Sequence, residues 1–142
     1  MLTIDANVFV AAEIRSEPEH RYARALIAAV LDQGLPVHLP WLAVVEASVA
    51  IGRRLGSVDA AMRIANTLVD FPGLTLHPVD RSAALLAAAV GAECRLRGAD
   101  SVYAAVAKRH GTTLITCDQE LRARTAGTLT ALTPKAWLDR QG

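Results

Sequence analysis

The chain is poor in rings. Aromatic residues make up 4% of its 142 residues, two each of Phe, Trp and Tyr. That excludes an aromatic-dominated core and leaves few side chains for stacking on bases. It has only two cysteines, Cys94 and Cys117, which excludes a disulfide framework and a cysteine-built zinc site. Lysine is nearly absent: of 15 cations, 13 are Arg, and Lys108 and Lys135 are the remainder. An excess of charge is also missing. The 15 cations and 14 acids leave a net charge of +1, so bulk charge does not single out a polyanion, and any nucleic-acid contact must come from local patches. Long apolar runs are missing too. Ala83–Ala92 is the longest and Trp41–Val45 is shorter still, both far short of the roughly 20 residues of a membrane span. The opening Met1-Leu2-Thr3-Ile4-Asp5 has no basic segment and does not read as a signal peptide. A cytoplasmic protein with no membrane contact is expected.

What is abundant is alanine, 27 residues from Ala6 to Ala136. With 52% hydrophobic and 20% charged residues, disorder is excluded, and a core of Ala, Leu and Val suggests close-packed helices. The length is that of one domain, taken as 1–142.

Strand and helix signals alternate. Leu2–Asp5 reads as a strand and Asn7–Glu13 as a short helix. Ser16 and Glu19 form a capping-box pattern with Pro18 in the first turn, so a helix is predicted to run to about Asp32, closed by Gly34. Pro36–Leu39 reads as the second strand. Pro40 opens a helix to about Leu55, broken by Gly56, and Ser57 caps another to about Asp70. Leu74–His77 is the third strand. Asp80 caps an Ala-rich helix to about Arg97, ended by Gly98. Ala99–His110 is a helix stopped by Gly111, Thr113–Thr116 a strand, Asp118 a cap, Thr128–Leu132 a fifth strand and Pro134–Arg140 a last helical turn. Connections of this length are crossovers. They predict an α/β fold, three layers α/β/α, with a mostly parallel sheet of about five strands and ligands at the carboxyl ends of the strands.

The acids matter because of where they fall. Asp5 ends the first strand and Asp118 follows the fourth by two residues. Each is also in place to be an ordinary helix N-cap. Glu46 is the only charge in Trp41–Ile51, either buried with a partner or ion, or set on a helix edge. Asp100 opens a helix, where the dipole favours an acid; small Ala99, Ala104, Ala105 and Ala107 would let that helix press on the sheet. Four acids on one edge repel: two unit charges about 5 Å apart at an effective dielectric of about 20 cost roughly 3 kcal/mol. A hard divalent cation offsets this, and with no H-E-x-x-H or Cys/His spacing, Mg²⁺ or Mn²⁺ is expected rather than zinc.

Asp5 with Asn7 after the first strand, Glu46 in the helix after the second, Asp100 opening a helix and Thr116-Cys117-Asp118 after a strand together resemble the PIN-domain ribonucleases, most of all the VapC-type toxins of bacterial toxin–antitoxin pairs. The resemblance spans the chain, in order and at the usual spacing. It implies that Asp5, Glu46, Asp100 and Asp118 are the catalytic acids and hold one or two Mg²⁺ or Mn²⁺ ions, Asp5 and Asp100 foremost. It implies that Asn7 and Thr116 support the site, that Glu120 is a further acid, and that RNA is hydrolysed to products with a 5′-phosphate and a 3′-hydroxyl. It implies a homodimer and a small antitoxin partner on an apolar groove. Cys117 departs from the usual polar or basic residue beside the last acid. Arg97 and Arg122 are the candidate phosphate contacts, being close in sequence to Asp100 and Asp118; Arg53, Arg54, Lys108 and Arg109 read as solvated helix ends. Tyr103 is either a base platform or core. His110 reads as a helix-end residue, and His20, His38 and His77 as scattered.

Two other functions remain open: a PIN-like RNA- or protein-binding module without cleavage, and a house-keeping RNA-processing nuclease. A phosphatase of the D-x-D type is disfavoured because Asp5 is followed by Ala6-Asn7, and no G-x-G-x-x-G or G-x-x-x-x-G-K-[ST] supports nucleotide binding.

Overall fold

Leu2, Thr3 and Ile4 are all buried and form β1 (Leu2–Ile4), the centre of the sheet in the computed structural model, which describes Met1–Gly142. Burial on both faces suits the middle of a parallel sheet, where strands read as continuous apolar runs. The chain continues through α1 (Ala6–Glu13), α2 (His20–Gln33), β2 (Val37–Pro40), α3 (Leu42–Leu55), α4 (Val58–Val69), β3 (Leu74–His77), α5 (Arg81–Cys94), α6 (Gly98–His110), β4 (Thr113–Ile115), α7 (Gln119–Thr125), β5 (Ala131–Leu132) and α8 (Pro134–Asp139). All five strands are parallel, in the order β3-β2-β1-β4-β5. The expected α/β architecture is the observed one, and its sheet is wholly rather than mostly parallel.

The strand order explains the layers. From β1 the chain steps outward to β2 and β3, then returns across the sheet to β4 on the other side of β1. Right-handed crossovers in opposite directions put their helices on opposite faces. So α1–α4 cover one face, and α5 and α6 the other. The core is one cluster around Ile4, Val8, Leu26, Val37, Leu39, Leu114, Ile115 and Leu121. Each such side chain, fully buried, stabilises by about 1.5–3 kcal/mol. Alanine does its work at the helix contacts: Ala104, Ala105 and Ala107 of α6 are buried, and Gly91 of α5 faces Ser101 of α6 so closely that a Cβ there would lie 2.2 Å from the Ser101 hydroxyl oxygen.

Four local expectations are corrected. Ser16 is not a cap: two tight turns, Glu17 N–H to the Ile14 carbonyl and His20 N–H to the Glu17 carbonyl, occupy that segment, and α2 begins at His20. The turns set Glu17 against Arg54 at 2.7 Å. Gly98 does not end the Ala-rich helix. α5 stops at Cys94, with Arg95 in the left-handed region at φ 55°, and Gly98 opens α6 instead. Elsewhere glycine takes that role as expected, with Gly34, Gly56 and Gly111 all at φ 60°. The second strand is shifted by one residue, so that Trp41 precedes α3 half-exposed. The fifth strand shrinks to Ala131–Leu132, because only the β4 residues Leu114 and Ile115 pair with it. No helix is long and apolar enough to cross a membrane.

Candidate active site

The order β3-β2-β1-β4-β5 has its reversal between β1 and β4, and in open parallel sheets ligands bind at the carboxyl side of that switch point. Asp5 follows β1 and Asp118 follows β4 there. Both are N-caps as well: Asp5 accepts from the Asn7 backbone, and Asp118 Oδ1 accepts from Glu120 and Leu121 N–H at 2.8 and 3.1 Å. The capping and catalytic readings are therefore not alternatives at these two positions.

Asp5 is 6% exposed, and two side chains fix it. The Thr116 hydroxyl donates to Asp5 Oδ2 at 2.7 Å, and Asn7 Nδ2 donates to the same oxygen at 2.8 Å. Asn7 Nδ2 also reaches Thr116 Oγ1 at 3.1 Å, and Asn7 Oδ1 accepts the Cys117 N–H at 3.1 Å. Thr116 Oγ1 in turn accepts the Asp118 N–H at 3.0 Å. One amide and one hydroxyl thus lock the first acid to the loop that carries the last, across more than a hundred residues of sequence. Burial pushes the Asp5 carboxyl up to about 6; the Thr116 and Asn7 hydrogen bonds oppose this, and the negative fields of Asp100 and Glu46 add to it. Asp100 is raised too, first by desolvation, then by Asp118, with Glu46 and Glu120 adding and Arg97 opposing.

Those mutual fields show which residues share the edge. Asp5, Glu46 and Asp100 face one another, and Asp100 faces Asp118 and Glu120. A small recess of about 20 Å³ is lined by Asp100, Asp118 and Glu120 together with Arg95, Arg97 and Arg124. Arg97 is therefore beside the acids. Arg122 is not in that recess: its Nη1 donates to the Thr116 carbonyl at 3.1 Å and braces the loop from behind. Arg124, which sequence spacing did not single out, pairs with Glu120. Glu46 is half-buried, and Tyr103, 1% exposed, donates its hydroxyl to Glu46 Oε2 at 2.7 Å. Tyr103 is thus core, as one of the two sequence readings had it, with a hydroxyl that also serves Glu46. The signal for its role was available in the sequence only as a ring on the same helix as Asp100, three residues on. Cys117 is half-buried and its thiol is pushed up to about 12 by burial, so it is not a nucleophile at neutral pH.

No three carboxylates come within one ligand sphere of each other; the three ligand-type side chains that do are histidines, away from this edge. The acids nonetheless suit a hard ion, because Mg²⁺ keeps several waters and needs only one or two carboxylates.

A family model for the PIN domain matches residues 2–126. A search of curated proteins finds no match. Among solved structures, VapC20 of Mycobacterium tuberculosis, a sarcin–ricin loop cleaving toxin, superposes with a TM-score of 0.74 at 17% identity, covering 87% of this chain and 94% of that one. A toxin–antitoxin complex from Klebsiella pneumoniae gives 0.66 at 18% identity, covering 94% and 98%. VapBC2 from Rickettsia felis, bound to a promoter DNA fragment, gives 0.69 at 9% identity, covering 93% and 97%.

Proposed function

The chain belongs to the PIN-domain family, and on that premise we propose that it is a divalent-metal-dependent endoribonuclease, the toxin of a toxin–antitoxin pair. The observation that carries the reading is Asp5: a buried carboxylate at the sheet's switch point, held by Asn7 and Thr116 and left in the unneutralised fields of Asp100 and Glu46. A buried acid surrounded by acids is costly unless a cation joins it. The donors are all carboxylate oxygens, which suits Mg²⁺ or Mn²⁺ and not a soft metal. Asp5 and Asp100 are the residues that would hold the ion, with Asp118 beside them. When bound, it would make water more acidic and offset charge on the scissile phosphate.

The protein's own groups do the rest. Tyr103 holds one oxygen of Glu46 by its hydroxyl, leaving the other to orient the attacking water. Arg97, at the mouth of the recess beside Asp100, takes a phosphate oxygen. Glu120 is tied to Arg124 and keeps that cation at the rim. The edge repels RNA until the ion is present, so RNA binding depends on the metal. Trp41 at the head of α3, Val45 and Val49 on α3, and Val58 and Met62 on α4 are exposed, an apolar surface suited to an antitoxin segment or a second copy of the chain.

The test is cleavage of a mixed RNA substrate with and without Mg²⁺, for the wild type and Asp100→Asn. Metal-dependent products with 5′-phosphates, lost in the variant, support the assignment. Full activity in a folded Asp100→Asn protein refutes it, and a 1:1 RNA complex with no cleavage under any divalent ion favours the binding-module reading.

A further inference from the structure

Three of the four histidines meet at one place, two of them read from the sequence as scattered and the third as a helix-end residue. His38 lies on β2, His77 closes β3, and His110 is the last residue of α6. The parallel register explains the first two: His38 is opposite Thr75 and Pro40 is opposite His77, so the two histidines are two positions apart on neighbouring strands and share a face of the sheet. α6 lies over that face and brings His110 onto them. His38 Nδ1 is 2.9 Å from His77 Nε2. Their ring centroids are 5.2 Å apart with planes within 14°, so the two imidazoles meet edge to edge. His110 stacks over both, at 4.5 and 4.3 Å. One ligand nitrogen from each lies within 4.8 Å of the others. No carboxylate pairs with any of the three.

We propose that His38, His77 and His110 form a binding site for a borderline transition-metal ion of the Zn²⁺ class. Three imidazoles with no carboxylate select zinc and its neighbours over Mg²⁺ or Mn²⁺. Tetrahedral zinc at about 2.0–2.1 Å from each nitrogen sets neighbouring ligand nitrogens about 3.3 Å apart. The His38–His77 contact then opens by only a few tenths of an ångström, the ion replacing the shared proton. His110, half-exposed at a helix end, turns its ring from stacking to ligation. A cavity of about 110 Å³ adjoins His77 and His110, lined also by Asp80, Val102, Val106 and Arg109, and has room for a water as fourth ligand. Burial and the positive fields of neighbouring groups lower His38 and His77, which keeps both rings in the neutral, ligating form at pH 7.

This site is separate from the acids. Asp100 and His110 are ten residues apart on α6, about 15 Å along its axis. The ion would tie the edge strand β3 and its neighbour β2 to α6, so its main consequence is to clamp the helix that carries Asp100.

The experiment uses the full metal-free chain. Zn²⁺ is titrated by calorimetry and Co²⁺ by visible absorption, in the wild type, in Asp5→Asn/Asp100→Asn, and in His77→Gln and His110→Gln. Expected are one equivalent of Zn²⁺, an intense tetrahedral Co²⁺ band, and a Tm rise of about 5–10 °C at a hundredfold excess over Kd. All three persist in the acid variant and with millimolar Mg²⁺ present, and affinity falls at least tenfold in each histidine variant. His110→Gln alters a half-exposed helix end, so its fold is checked by circular dichroism and serves if His77→Gln does not fold. Absence of 1:1 binding, or binding that survives in the folded histidine variants, overturns the proposal.

Discussion

Replacing Asp5 by Asn should stabilise the metal-free protein while abolishing its catalysis. The Asp5 carboxyl stands at about 6 in the folded chain against 3.8 for a free side chain. A shift of about 2 units is worth about 3 kcal/mol. Its sign follows from the direction. Below about pH 4 both states carry the proton and nothing is lost. As pH rises from about 4 to 6 the unfolded chain ionises first, so the folded state loses stability, and above about 6 the full loss is incurred. Asn removes this. Both strong hydrogen bonds, from Asn7 Nδ2 and Thr116, go to Oδ2, and an amide oxygen there accepts both. Only the 3.4 Å contact from the Asn7 backbone to Oδ1 is given up, about 0.5–1 kcal/mol. The net gain is about 2 kcal/mol above pH 7, or roughly 6 °C in Tm for a domain of this size. Urea unfolding in EDTA between pH 4 and 8 measures it. The variant's advantage should vanish at about pH 4 and reach its plateau near pH 7, and added Mg²⁺ should stabilise the wild type alone. A variant less stable than wild type at pH 8, or an advantage independent of pH, would refute the reasoning.

Three further outcomes follow from the same geometry. Thr116→Val removes the hydroxyl that serves Asp5 and the Asp118 N–H; it should cost about 2 kcal/mol and move the acid limb of the cleavage profile to higher pH, because that hydrogen bond holds the Asp5 carboxyl down. Tyr103→Phe leaves Glu46 Oε2 unheld and should cost about 1 kcal/mol, with a drop in kcat larger than any change in KM. Gly91→Ala puts a Cβ 2.2 Å from the Ser101 hydroxyl oxygen; forcing α5 from α6 should cost about 1–3 kcal/mol by urea unfolding and lower cleavage, since Ser101 adjoins Asp100.

The alternation of strands and helices was legible because each signal was local: Gly34, Gly56 and Gly111 stop helices, and Ser57 and Asp80 cap them. Where a local signal failed, tertiary demands had overridden it. Ser16 looks like a cap, yet the chain there turns to bring Glu17 to Arg54. Gly98 looks like a stop, yet Arg95 takes the left-handed turn and lines the acidic recess. Asp5 and Asp118 stood out because each follows a strand, Glu46 because it is the only charge in an apolar segment, and Asp100 because it opens a helix of small residues able to press on the sheet. Tyr103 and the histidines did not, because their meaning lies in register. His38 and His77 meet only through the β2–β3 pairing, and no periodicity within either strand announces that His110 will arrive above them.

The lock between Asp5 and Thr116 also has a consequence for biosynthesis. β1 is made well before β4, and Asp5 is not fixed until β4 docks beside β1, more than a hundred residues later. At about 5–20 residues per second, several seconds separate the two, and closing so long a loop is itself slow. A nascent chain therefore keeps Asp5 apart from Thr116 and Asp118 until β4 has emerged. The acidic edge comes into being only once β4 has docked beside β1.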